Sequence, residues 1–92
     1  MIVSIKHKGL QQLFEYDASK LINPAHEVRI RTILTILDGA ERINDVNLPG
    51  FGLHKLKGSK QERWSVKVSG NWRITFHYQN GDVQDVNLED YH

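Results

Sequence analysis

The order of apolar periodicities along this chain of 92 residues predicts an α+β fold. A short β-branched start is followed by two stretches of helical spacing and then by stretches that alternate apolar and polar residues. The expected architecture is an N-terminal strand and a two-helix hairpin packed on a mostly antiparallel, twisted sheet. A hairpin of amphipathic helices must bury its apolar faces, and the sheet is the only element left to cover them. Residues 1–92 read as one domain, because so short a chain leaves no room for a second.

Met1 to Lys6 is rich in β-branched residues and predicts the first strand. From His7 onward, Leu10, Leu13 and Phe14 fall at helical spacing, giving a short helix that ends near Ala18. Asn23-Pro24 supplies an N-cap followed by proline at the first helical position, where its missing N–H costs nothing. Val28, Ile30, Ile33, Leu34 and Leu37 form the apolar stripe of the second helix, which Gly39 stops. Asn47 to Gly52 is dense in turn residues and reads as a loop.

Strands are expected from Leu53 to Lys57, Arg63 to Ser69, Trp72 to Gln79 and Val83 to Leu88. In the second of these, Trp64, Val66 and Val68 share one face and Ser65 and Lys67 the other. In the third, Trp72, Ile74, Phe76 and Tyr78 point inward and Arg73, Thr75 and His77 outward. A two-residue Asn80-Gly81 loop would set Phe76 against Asp85 and waste the apolar face. A three-residue loop, Asn80 to Asp82, sets Phe76 against Val86 and Ile74 against Leu88, and burial favours it. Arg73 then faces Glu89, on the side of the sheet that carries Tyr91.

Composition excludes several classes. The chain has no cysteine, which removes disulfide frameworks, thiolate zinc sites and cysteine nucleophiles, and suits a reducing cytoplasm. Met1 to Lys6 is too short an apolar run for a signal peptide and no stretch reaches the roughly 20 apolar residues of a membrane span, so neither is expected and a soluble cytoplasmic protein is. The five histidines show no zinc-like pairing, and no metal or cofactor is expected. His7 and His26 read as surface residues near helix starts, and His77 as an ordinary sheet position that could also meet substrate. Net charge is only +1, but its distribution is uneven. His54 to Arg73 holds six basic residues (Lys55, Lys57, Lys60, Arg63, Lys67, Arg73) against Glu62 alone, whereas Asp82 to His92 holds four acidic residues and no lysine or arginine. Such a basic segment is either a phosphate footprint or a solvated strand face.

His54, with lysines one and three positions later, and His92, which follows Asp90-Tyr91, stand out by their company. RNA cleavage without a metal needs few parts. The ribose 2′-OH is already placed beside its phosphate; a base takes its proton, an acid protonates the leaving 5′-oxygen, and cations hold the charge that develops on the phosphate. Histidine, tyrosine and carboxylate serve the first two roles, and arginine is the better clamp for the third. All these residue types lie in the basic segment and the C-terminal residues.

Leu53-His54-Lys55-Leu56-Lys57-Gly58, Trp64-Ser65-Val66-Lys67-Val68, Asn71-Trp72-Arg73-Ile74-Thr75-Phe76 and the closing Glu89-Asp90-Tyr91-His92, with His7-Lys8-Gly9-Leu10 near the start, resemble the HigB toxins of the RelE/ParE superfamily over essentially the whole chain. The resemblance implies a RelE-like microbial RNase fold. It also implies an mRNA interferase that cuts messenger RNA in the A site of the 30S ribosomal subunit. The implied partner is a HigA-like helix-turn-helix antitoxin, through which alone the toxin reaches operator DNA. Catalytic or substrate-binding roles would fall on His54, Lys57, Arg73, Asp90, Tyr91 and His92. The run Lys55 to Lys60 departs from the family in being more basic; the charge of the segment, not the resemblance, makes Lys55, Lys60 and Arg63 further expected RNA-binding cations. Arg73 and Lys57 would stabilise the transition state, His92 would be the general acid, Tyr91 would orient a base or share proton transfer, and His54 or Asp90 would be the general base. The alternatives are a ParE-like gyrase inhibitor on the same scaffold and a non-catalytic ribosome- or nucleic-acid-binding module.

Overall fold

The computed structural model describes residues 1–58 and 62–91. Helix α1 spans Lys8–Tyr16 and α2 spans Glu27–Gly39, the latter entered through a 3-10 turn at Pro24–His26. The strands are β1 His54–Leu56, β2 Arg63–Ser69, β3 Trp72–Gln79 and β4 Asp82–Asp90, in one antiparallel sheet of order β1-β2-β3-β4. No described helix is long and apolar enough to cross a membrane.

The N-terminal segment pairs more sparsely than expected. It runs parallel to β4 through two isolated bridges, Ile2 with Val83 and Ile5 with Val86, rather than a continuous ladder. Those bridges close the open edge of β4 and bring Lys6 beside it. The apolar sheet face, with Val66, Val68, Ile74, Phe76, Val83 and Val86, packs on Leu10 and Leu13 of α1 and on Ile30, Ile33, Leu34 and Leu37 of α2. Three expected core positions lie outside. Phe14 is 39% exposed on α1, Val28 is 77% exposed because the buried stripe of α2 begins at Ile30, and Trp72 is 38% exposed at the start of β3, where its ring stands 6.5 Å from that of His26.

His7 is no mere surface residue. It is the N-cap of α1, its Nδ1 accepting the Leu10 N–H at 3.2 Å. That role requires an unprotonated Nδ1, and burial holds the pKa of His7 below its ordinary value. The unfolded chain therefore takes up a proton at higher pH than the folded one. The cap's stabilisation is complete above about pH 6.5 and is lost as pH falls below it. His7→Ser should keep the cap and flatten this part of the pH dependence in thermal melts between pH 7 and 5. His7→Ala should cost about 1 kcal/mol at neutral pH. Gly9, in the first turn, lets the Leu21-Ile22 loop approach, since a Cβ there would stand 3.0 Å from Ile22 Cδ1.

The β3–β4 hairpin corrects the expected turn. Gln79 pairs with Asp82, so the loop has two residues, and Asn80 (φ 52°) and Gly81 (φ 85°) both adopt the positive φ that such a turn requires. Yet Ile74 pairs with Leu88 and Arg73 with Glu89, the register expected of a three-residue loop. The extra residue sits further along: between the pairs Thr75–Asn87 and His77–Gln84, Phe76 faces both Asp85 and Val86. Asp85 takes φ 53° there, making a β-bulge. Burial of Val83 and Val86, three positions apart, demands one break in the alternation. The chain places that break in the strand instead of in the turn.

Candidate active site

The other face of the sheet carries the polar groups. Direct cross-strand partners share a face, and the register aligns His54 with Ser65, Ser65 with Thr75 and Thr75 with Asn87. One row along, Lys67 pairs with Arg73 and Arg73 with Glu89. Tyr91 extends the ladder past β4, its N–H donating to Asn71 O at 2.8 Å. It therefore stands on the same face two residues beyond Glu89, about 7 Å along the strand. His54, Arg73 and Tyr91 thus gather on one polar surface.

Arg73 is held by two neutral acceptors. Its Nε donates to Ser65 Oγ at 2.8 Å and an Nη to Gly52 O at 2.6 Å. The Gly52 carbonyl is itself fixed by the loop before β1. Phe51 is buried there, its carbonyl accepts the Lys67 N–H at 2.7 Å, and Arg29 of α2 donates to Gly50 O and Lys67 O with its guanidinium 4.7 Å from the centre of the Phe51 ring. Ser65 and Thr75, expected to face outward, are fully buried although they lie on the polar face. The arginine forks from neighbouring strands bond to their hydroxyls.

Arg63 is differently engaged. Its Nη2 donates to Glu89 Oε2 at 2.6 Å and to Thr75 Oγ1 at 3.3 Å, while the Thr75 hydroxyl donates to the same Glu89 oxygen at 2.5 Å. Lys57, with Gly58, stands at one side of an open cleft of about 420 Å³ on this face, whose other walls are Lys6, Arg63, His77, Asp85, Asn87 and Glu89. His77 Nε2 lies 3.9 Å from Asp85 Oδ2 inside it.

Other expected residues are not brought together. Lys55 pairs with Trp64, which puts it on the face away from His54; its Nζ lies 5.7 Å from the indole centre and 3.7 Å from Glu62 Oε1. Asp90 pairs with Trp72 at the sheet's end and belongs to the opposite alternation from Arg73 and Tyr91. Lys60 and His92 lie outside the described residues. Sequence reasoning missed Ser65, Thr75 and Glu89 as parts of the site. Alternation placed Ser65 and Thr75 on the correct face, but nothing local marks a serine or threonine as the anchor of a distant arginine. Among the described residues, no three histidine or acidic side chains cluster as metal ligands.

Two helices over one face of an antiparallel sheet, with guanidinium, imidazole and phenol displayed on the other, are consistent with the RelE-like toxin fold. The chain belongs to the HigB-like family, the RelE-like toxins of the type II toxin–antitoxin system HigB, whose profile matches residues 3–92. It is 46% identical to the protein named Endoribonuclease HigB of Proteus vulgaris, over the full length of both chains. It is 29% identical to Toxin HigB-1 of Vibrio cholerae serotype O1, covering 97% of this chain and 96% of that one. Membership in a type II system implies an antitoxin partner.

Proposed function

We propose that this toxin is an endoribonuclease that acts in the cytoplasm on messenger RNA in the ribosomal A site and so arrests translation. The observation that carries the reading is Arg73, preorganised by Ser65 and Gly52 on the surface it shares with His54 and Tyr91. Fixed donors need no reorganisation as charge builds on a phosphate, and this makes them effective in a transition state. The activity printed in the name of the Proteus vulgaris relative agrees with it.

In this reading the ribose 2′-oxygen attacks the adjacent phosphorus as a base, His54, removes its proton; Asp90, the alternative base, is disfavoured by its place on the opposite alternation from Arg73. The P–O5′ bond breaks, the 5′-oxygen receives a proton from His92, and a 2′,3′-cyclic phosphate remains. Arg73 and Lys57 hold the phosphate oxygens, and Tyr91 stacks on or orients a flanking base. Lys55, Lys60 and Arg63 were expected to add RNA contacts. Arg63 is instead tied to Glu89, and Lys55 would act only where RNA or ribosome wraps round the edge strand. A HigA-like helix-turn-helix antitoxin holds the toxin inactive and carries it to operator DNA.

Induction in a bacterial host, followed by mapping of mRNA 5′ ends with and without the neighbouring gene, tests the reading. New ends within translated codons, suppressed by the neighbour, are expected. Intact mRNA with gyrase-dependent DNA breaks would replace the reading with gyrase poisoning.

A further inference from the structure

Arg73 and Glu89 are direct cross-strand partners, and opposite charges so placed ordinarily attract. An Arg73–Glu89 pair would be harmful to a phosphate-binding site, because the carboxylate would compete with the phosphate for the same guanidinium. The Glu89 carboxylate turns elsewhere: Oε2 accepts from Arg63 at 2.6 Å and from the Thr75 hydroxyl. Arg73 meanwhile turns to the neutral oxygens of Ser65 and Gly52. Among the described residues, two arginines and one carboxylate are thus sorted so that the arginine on β2 pairs with the carboxylate and the one on β3 bonds to neutral oxygens. The Arg63–Glu89 pair is about 30% exposed on each side, sheltered enough for its geometry to hold.

We propose that Arg63 is a positioning residue that, with Thr75, holds the Glu89 carboxylate off Arg73 and so keeps the Arg73 cation for the RNA phosphate. This rests on the ribonuclease reading given above. Removing Arg63 strands Glu89 on a half-buried strand, and a stranded carboxylate pairs with what it can reach. Lys6 and Lys57 line the same cleft as Glu89, but Arg73 is its direct cross-strand partner and stands opposite it in the ladder. The defect in Arg63→Gln is then caused by Glu89 and not by loss of an RNA contact, and removing the charge of Glu89 cures it. A lost RNA contact would not be cured.

The test compares the wild-type toxin with Arg63→Gln, Glu89→Gln and the double variant on mRNA-programmed ribosomes. In parallel, the NMR resonance of the Arg73 Nε–H is followed in each isolated protein. Arg63→Gln is expected to lose about tenfold or more in maximal rate, part of the loss that follows removal of a preorganised donor. The double variant is expected to recover most of that loss, with the Arg73 resonance moving in the single variant and returning in the double. A double variant no more active than Arg63→Gln, or an Arg63→Gln toxin of full activity, overturns the proposal. Should the wild type cut no RNA, the ribonuclease reading fails by itself. The positioning role then stands or falls on the Arg73 resonance, and an unmoved signal in Arg63→Gln refutes it.

Discussion

Arg73→Ala is expected to lower the maximal rate of RNA cleavage by about 10²–10³-fold, the usual cost of removing one preorganised donor from a developing oxyanion. The loss should fall on the catalytic rate far more than on ribosome affinity, because a single cation is a small part of a large polyanionic docking surface. Arg73→Lys should recover little of it. The present arrangement uses the guanidinium as a planar fork, with one arm on Ser65 Oγ and another on Gly52 O, and an ammonium cannot reproduce both bonds while presenting donors to a phosphate. Loss of Arg73 also removes a partner from the fully buried Ser65, a stability cost of about 1 kcal/mol. Circular dichroism at the assay temperature separates that from the catalytic effect. Equal losses in ribosome binding and in rate would make Arg73 a docking residue instead.

Phe76→Ala is expected to have the largest effect on stability, about 3–5 kcal/mol. The ring is fully buried, opposite Trp64 on β2 and the Asp85–Val86 bulge on β4. It lies under the strand that presents Arg73, Thr75 and His77, so a cavity there loosens the platform on which the charges are sorted. Small domains have about 5–15 kcal/mol in all, and this one change uses up a large share of it. A fall in melting temperature of at least about 12 °C is expected for a domain of this size. Val28→Ala, at a position 77% exposed, is the control and should move stability by no more than about 0.5 kcal/mol. A Phe76→Ala protein that melts with the control would show that the sheet does not depend on this ring.

Strand alternation made much of the site legible. His54 and Lys57 are exceptions, because Leu53 and Leu56 break strict alternation and leave their side open; the pairing with Ser65 decides the face of His54. Arg73 opposite Glu89 was legible because burial of Ile74 against Leu88 admits no other register at that end of the hairpin. The turn differs from the expected one because a turn residue and a bulge residue shift the register equally, and burial alone does not say which the chain uses. Asp85 at positive φ was a weak signal, since aspartate tolerates that conformation better than most residues. Lys55 was grouped with the phosphate-facing cations because composition counts charges without assigning them a face. Its pairing with Trp64 assigns one.

By itself the sequence determined the fold class, the two helices, the faces of β2 and β3 and the residue types that gather near the C-terminus. All of these follow from periodicity and short-range preference, which are local. Only the tertiary structure decided which cation meets which anion. Arg63, Thr75 and Glu89 come from three strands and meet across 12 to 26 residues of chain, and Gly52 reaches Arg73 from a loop 21 residues away. Charge is attracted by whatever folding brings within a few ångströms, so the choice between two arginines for one carboxylate belongs to packing and not to spacing along the chain.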